Sequence, residues 1–489
     1  MTTASHPLVS IIVPAYNAEP FLGETLEKLL AINYPQLEII VVNDGSQDGT
    51  AQIAARYAAE HECVSFINQP NGGVCRARNK GISHARGKYI LPVDADDILL
   101  PGFVAWAVEQ LEGDERLKVV VPKAEFFGDK QGEWRLPTYS PRLLARKNMI
   151  PATALYRRQD WVRVGGYNEN LQVREDWEFW ISILKDGGDV VTSPELGLRY
   201  RIRQTSKRMT DRKQKRNVVD ELNERHPEFF QRELCGPLHY QRTWSRLLNK
   251  LYALCHPRRL CIDESNADCQ YFIEALPQIF RTRLGSVIYK RRNELRLLSF
   301  HGREFVVKQF AVPNIINRLV YGILRKSKAQ RSYEYASLLL SKGIGSPKPV
   351  AWMTVRDGLL FGRSYYVALK SDCHYTYNDI LAGTLDSEEE RRYLVLIAQA
   401  TARLHDEGMV HMDFSRGNIL FGNDRVEFID LNRIRFHEVG IEEGCRNFAE
   451  RLPATVEQRR TMADAYAQAR GFDPQTCLRL MMEGNKEKE

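Results

Sequence analysis

Residues 405–433, HDEGMVHMDFSRGNILFGNDRVEFIDLNR, decide how the chain reads. His411 and Asp413 precede Asn418 in the spacing H-x-D-x(4)-N, the apolar Ile419-Leu420-Phe421 follows, and a second acid, Asp430, ends the next apolar run twelve residues after the Asn. Phosphoryl transfer from Mg-ATP needs such a set: an acid at the acceptor hydroxyl, and an Asn and an Asp that hold metal against the phosphates. Short polar groups between apolar segments arise by chance; the whole spaced set is far less prone to.

Upstream, residues 286–289, 294–300 and 304–310 alternate as a short antiparallel meander with turns at 291–293 and 301–302. The third run, EFVVKQF, places Lys308 in an alternating apolar frame, where it is either an edge-strand charge or a phosphate ligand. The acid expected to pair with it is Glu334, in a helix over 332–341, although a Glu near a helix start can also serve as a cap. Further strands are expected at 344–352 and 364–369, and helices at 378–382 and 388–405.

The pieces YEYASLLLSKGIGSPKPVA, ARLHDEGMVHMDFSRGNILF and VEFIDLNRIRF resemble the lipopolysaccharide-core (Kdo/heptose) kinases, a group within the protein-kinase-like fold. The resemblance implies Asp413 as catalytic base, Asn418 and Asp430 as magnesium ligands, and Lys308 with Glu334 as the pair that positions ATP; His411 would orient the loop. Three features depart from protein kinases. No G-x-G-x-x-G lies between Arg281 and Lys308, Asp430 is followed by Leu431-Asn432 instead of Phe-Gly, and the 59 residues after Asp430 hold no A-P-E segment. A sugar hydroxyl is therefore a better acceptor than a peptide. Two alternatives stay open: a non-catalytic module with this fold, and a kinase for a soluble aminosugar of the aminoglycoside type.

The N-terminal part is built differently. Apolar β-branched runs at 8–13 (LVSIIV), 37–42, 64–68 and 89–93 alternate with helical patterns at 21–30, 50–59 and 74–85, the rhythm of a doubly wound α/β sheet with its ligand loops at the strand ends. Asp44 stands at one such end, and Asp94-Ala95-Asp96-Asp97 at another. Carboxylates so close repel one another unless a cation neutralises them, and a hard divalent ion that also grips a diphosphate does so.

VSIIVPAYNAEPFL, IIVVNDGSQDGT, NGGVCRARNKGISHARGKYILPVDADD and VGGYNENLQVREDWEFWISIL resemble the inverting family 2 glycosyltransferases of the GT-A fold over about 220 residues. The resemblance implies a nucleotide-sugar site, with a UDP-sugar favoured, made by Pro14, Tyr16, Asp44 (base), Arg78 (near the diphosphate), Asp94 (ribose) and Asp96 (Mg2+ or Mn2+). Asp176 would be the general base that deprotonates the acceptor hydroxyl, as inverting transfer requires. Helix-start capping is the structural alternative for Glu175-Asp176, and Trp177 and Trp180 read as core.

Composition agrees with two globular enzymes. The 489 residues are 43% hydrophobic with a net charge of +7, which suits anionic partners without choosing among nucleotides, phosphorylated glycans and membrane surfaces. Residues 199–216 carry nine basic residues against one acid, a solvated run or a contact for anionic lipid; without aromatic interleaving it does not suggest nucleic acid. The nine cysteines form no C-x-x-C pair and are expected to be free thiols in a reducing cytoplasm. No signal peptide and no spanning segment are expected, so any attachment to the inner membrane would be peripheral, on its cytoplasmic face.

The expected architecture is an α/β GT-A domain over 1–230, a helical connector over 231–261, and an α+β protein-kinase-like domain over 262–489. The implied function is bifunctional: inverting sugar transfer from a nucleotide sugar, and Mg-ATP-dependent phosphorylation of a core sugar, both on a lipid-linked envelope glycan.

Overall fold

The computed structural model describes residues 6–171, 173–203, 211–323, 325–358 and 360–483. The chain divides into two compact units, Met1–Asn249 and Lys250–Glu489.

The first unit is built on nine strands: β1 (Val9–Ala15), β2 (Leu37–Asp44), β3 (Val64–Gln69), β4 (Tyr89–Pro92), β5 (Ile98–Leu99), β6 (Leu117–Gly128), β7 (Gly132–Trp134), β8 (Leu155–Arg157) and β9 (Asp189–Ile202). Their order in space is β3-β2-β1-β4-β8-β6-β9-β5, with β7 beside β6. The first four run parallel, and β8 joins β4 antiparallel. The apolar runs are continuous because both sheet faces are covered. Along β1, Val9, Ile11 and Val13 enter one core with Leu22, Leu26 and Phe103, while Ile12 enters another with Val42, Trp177 and Trp180. Helix Val74–His84 lies close on the sheet at Gly81, where a Cβ would come within 2.6 Å of Ile12 Cγ2.

The end of the expected first domain and the start of the expected connector pack into this first unit. Helices Asp211–Arg225 and Pro227–Leu234 bring Leu222, Phe229, Phe230 and Leu234 into the core that holds Trp177 and Trp180. A buried polar cluster seals the join: the Glu178 carboxylate meets His226 Nε2 at 2.8 Å and accepts from Arg225 Nε at 3.0 Å. The break between units falls within helix Ser245–Cys255.

The second unit opens with a strand absent from the sequence reading, β10 (Arg258–Ile262), followed by β11 (Ser286–Lys290), β12 (Glu294–Phe300), β13 (Arg303–Phe310), β14 (Pro349–Asp357) and β15 (Leu360–Leu369). They form an antiparallel sheet in the order β10-β14-β15-β13-β12-β11. Phe272, Ile273, Leu276 and Ile279 of helix Gln270–Thr282 pack on it against Phe305, Val307, Met353 and Val367. A second core joins helices Ser387–Asp406, Val456–Arg470 and Pro474–Glu483 with the hairpin Ile419–Gly422 and Arg425–Phe428.

Two boundaries differ from expectation for local reasons. The strand expected at 344–352 starts only at Pro349, because Pro347 and Pro349 lack the N–H a ladder uses. The preceding residues run past the lower hairpin instead, Gly345 O accepting from Phe428 N at 2.9 Å. Helix Lys328–Ser341 starts four residues early because Ser327 caps it, its Oγ accepting from Gln330 N at 3.0 Å. Among the described residues no helix is long and apolar enough to cross a membrane.

Candidate active sites

The strand ends of the first unit open into a cleft of about 830 Å³ lined by Pro14, Tyr16, Asp44, Arg78, Asp94, Asp96 and Asp176. All seven residues singled out there by sequence therefore share one cavity. The turn after β2 presses Gly45, at φ +70°, so close to the facing loop that a Cβ would lie 2.6 Å from Asn71 N. That approach lets Asp44 organise the loop: Oδ1 accepts from Gln69 Nε2 (2.8 Å) and Gly72 N (2.9 Å), and Oδ2 from Gly73 N (2.8 Å).

Arg78 lines the cleft with its charge already engaged. Its guanidinium is 1% exposed, and its two terminal nitrogens bind Asp94 Oδ1 (2.8 Å) and Glu175 Oε1 (2.9 Å). Burial opposes its charge, but Asp94 and Glu175 outweigh burial and hold it firmly protonated. It thus underpins the carboxylates and presents no free fork to a diphosphate. Arg135, Lys147 and Arg174 also line the cleft, and two further cations come from the start of the basic run. Arg203 binds Asp96 Oδ2 at 2.6 Å, and Arg201 donates to Asp96 O at 2.8 Å and to Glu24 at 2.6 Å. The head of that run is therefore bound to acids and is no free lipid contact; residues 204–210 lie outside the described residues, as do the side chains of 211–216.

Burial, then the neighbouring Asp94, raises the Asp96 pKa; burial with Asp94 and Asp96 lifts Asp97 well above the carboxylate range. Asp97 is buried against β9, Oδ1 accepting from Arg201 N at 2.9 Å, and stands behind the site. Asp176 begins helix Glu175–Leu184. Its Oδ2 accepts from Asn148 Nδ2 at 2.6 Å and its Oδ1 from Trp177 N at 2.9 Å. Burial and then the charge of Glu175 push it up to about 7. Trp177 and Trp180 are core, as expected. Sequence reasoning missed Asn148, and also the pair Trp134–Tyr200 (ring centroids 4.9 Å apart), an aromatic wall of the cleft. Only the tertiary fold brings these to Asp176.

In the second unit the H-x-D-x(4)-N loop is stitched to the strand before Asp430. His411 Nε2 donates to Ile429 O at 2.9 Å, while its Nδ1 accepts from Asp413 N at 3.1 Å. The ring is therefore the neutral Nε2–H tautomer, and burial lowers its pKa accordingly. This geometry supports a loop-orienting role. Asn418 Nδ2 donates to Asp413 O at 2.8 Å, and Asn418 O accepts from Ile429 N at 3.0 Å. Asp430, in the left-handed region at φ 57°, meets Lys308 Nζ at 2.8 Å and the Asn432 amide. Arg451 approaches Asp413 Oδ1 at 3.6 Å.

The expected Lys308–Glu334 pair is absent. Glu334 binds Lys326 Nζ at 2.8 Å and accepts from Gln330 Nε2 at 3.0 Å, while Lys308 goes to Asp430. With the helix starting at Lys328, Lys326 sits just before its first turn, within reach of Glu334 two turns along.

Comparison with known proteins matches these sites to two families. Residues 10–174 match the model of "Glycosyl transferase family 2", and residues 298–452 that of the "Lipopolysaccharide kinase (Kdo/WaaP) family". The chain therefore carries an N-terminal family 2 glycosyltransferase domain and a C-terminal domain of the Kdo/WaaP kinase family over those residues. Similar relatives include "Uncharacterized glycosyltransferase EpsJ" of Bacillus subtilis, 45% identical over 22% of this chain and 32% of its own length. "Chondroitin synthase" of Escherichia coli is 29% identical over 37% of this chain and 27% of its own. The chain thus spans about a third or less of these two relatives. Among solved structures, S. aureus TarS 1–349 in complex with UDP-GlcNAc is 20% identical with a TM-score of 0.41, covering 56% of this chain and 81% of that one.

Proposed function

We propose that the chain is a bifunctional enzyme of envelope-glycan assembly: the first unit transfers a sugar with inversion from a nucleotide donor, UDP-linked in the favoured case, and the second phosphorylates a nearby sugar hydroxyl from Mg-ATP. The observation that carries the reading is the half-buried Asp176, pushed up to about 7 and held by Asn148, in the same cleft as Asp44, Asp94 and Asp96. A carboxylate poised near neutrality suits a general base at an acceptor hydroxyl. Asp44 would meet the base, the free oxygen of Asp94 the ribose, and Pro14 and Tyr16 the walls of the donor pocket.

The residues fit a divalent ion. The crowded acids of 94–97 already draw in Arg203, and Asp430 draws in Lys308, so each acid attracts positive charge. Among the described residues no three His, Cys, Asp or Glu side chains form a complete metal cage, so Asp96, and separately Asn418 with Asp430, would share an ion with donor phosphates. Mg2+ or Mn2+ would supply charge neutralisation of the leaving diphosphate in one site and of the transferred phosphoryl group in the other.

In the second unit Asp413 takes the acceptor proton, with Arg451 beside it to bias an anionic acceptor inward. The family match to lipopolysaccharide kinases favours Kdo or heptose of a lipid-linked core as that acceptor, met by peripheral contact with the cytoplasmic face of the inner membrane. The test combines a panel of nucleotide sugars with γ-labelled ATP on purified Kdo–lipid A and heptose-containing core. Label in a core sugar, lost in Asp413→Asn, supports the reading; no label on either acceptor in folded protein contradicts the envelope-glycan assignment.

A further inference from the structure

The sequence lacks a glycine-rich loop before Lys308, so backbone N–H groups of that kind do not explain how a triphosphate is held. The turn at the corresponding place, between β11 and β12, is Arg291-Arg292-Asn293, closed by Arg291 N donating to Asn293 O at 3.1 Å and anchored where Asn293 Oδ1 accepts from Ala311 N at 3.2 Å. Helix Lys328–Ser341 carries Lys328 and Arg331 in its first turn and packs on the turn Leu431–Arg433. Arg292, Arg331 and Arg433 all act on the charge of Lys328, so four cations from three elements share one neighbourhood.

Their charge is unbalanced. Lys328 is half-buried and its pKa is lowered by burial, then by Arg292, Arg433 and Arg331, with Asp430 the acid that opposes them. None of the four forms an ion pair among the described residues, and Arg331 Nε is buried without a hydrogen-bond partner. The acids that might serve are engaged: Glu334 by Lys326 and Gln330, Asp430 by Lys308 and Asn432. Like charges gathered in a partly desolvated place cost stability unless a polyanion arrives.

We propose that Arg292, Lys328, Arg331 and Arg433 form a clamp for the phosphate chain of the nucleotide beside Lys308, replacing with side-chain cations the backbone donors of a glycine-rich loop. The clamp rests on the reading of the second unit as a phosphotransferase. It recognises charge and phosphate oxygens, so it binds polyphosphate whether or not adenosine is attached.

The experiment is calorimetric titration of the full chain with Mg2+ and adenosine, ADP, ATP or inorganic tripolyphosphate, for wild type and Lys328→Met/Arg331→Gln. Loss of two charge-assisted contacts is expected to weaken ATP and tripolyphosphate at least about tenfold and ADP less, with adenosine unchanged. The melting temperature of the ligand-free variant should not fall, because repulsion is relieved; a purely structural role would lower it. If this variant does not fold, Arg292→Gln and Arg433→Gln, both on exposed side chains, make the same test. Tripolyphosphate and ATP binding within twofold of wild type overturns the clamp, as does an unchanged KM for ATP with a raised KM for the glycan acceptor. Tripolyphosphate binding that depends on Lys328 and Arg331, with no phosphate transferred to any acceptor, leaves the clamp standing and removes the kinase reading.

Discussion

The cleft of the first unit gathers acids (Asp44, Asp94, Asp96, Glu175 and Asp176) over a buried Arg78, whereas the second unit gathers Arg292, Lys328, Arg331 and Arg433 around Asp430. The first pairs its acids with cations, Arg78 with Asp94 and Glu175 and Arg203 with Asp96, whereas the four cations of the second form no ion pair among the described residues. In the first, Arg203 on Asp96 shows how strongly the crowded acids attract a cation. In the second, those cations outnumber Asp430, the acid that opposes them at Lys328. The contrast fits the proposed functions: in that reading the first unit uses an acceptor-side base raised by burial and then by Glu175, and the second holds a triphosphate without a glycine-rich loop.

The largest way to break this contrast is to remove each base. Asp176→Asn should cut sugar transfer by about 100- to 10,000-fold and spare phosphorylation, and Asp413→Asn should do the reverse. Loss of both activities from either change, in protein that stays folded, would show the sites to be dependent on one another.

A second test sharpens the role of crowding. With Asp176 at about 7, sugar transfer should rise with pH up to and through neutrality. Asn148 holds that pKa down by its hydrogen bond, so Asn148→Ala should move the acid limb to higher pH as well as slow the reaction. An unmoved limb would assign it to another group.

The same shift predicts a stability effect of opposite direction to the usual carboxylate. Asp176 binds its proton more tightly folded (about 7) than at its ordinary 3.8, so stability falls as pH rises across that window. Asp176→Asn should therefore raise the melting temperature more at pH 8 than at pH 4, by thermal melts at the two pH values. An equal change at both would contradict the raised pKa.

The smallest expected effect concerns the cation on Asp96. Arg203 is 39% exposed, so its pair with Asp96 contributes modestly, and Arg203→Gln should tighten Mn2+ binding to the donor-free protein by about two- to fivefold. Weakened binding would mean that Arg203 helps to assemble the metal site.

Much of the first cleft was legible because a doubly wound sheet delivers strand ends to one edge: Asp44 after β2 and Asp94 after β4 follow from the alternation of strand and helix alone. Asn148 and Arg203 were not, since each meets its acid across a long stretch of chain and neither residue type in its local pattern points there. The second unit teaches the same lesson at shorter range. Its loop from His411 to Asn418 was readable from spacing, but the partner of Lys308 depended on where the helix at Lys328 begins, and Ser327 decides that. For the stretch expected as a connector, amphipathic helices reveal a buried face without revealing which core receives it; Leu234 and Leu238 join the core of the first unit.

The most direct test of two independent chemistries is one reaction containing labelled nucleotide sugar, γ-labelled ATP and purified lipid-linked core, run with wild type, Asp176→Asn and Asp413→Asn. The account predicts both labels in the glycan with wild type, phosphate alone when supplied with the pre-glycosylated acceptor and Asp176→Asn, and sugar alone with Asp413→Asn. A wild-type protein that incorporates sugar but never phosphate would contradict it and leave the second unit as a binding module.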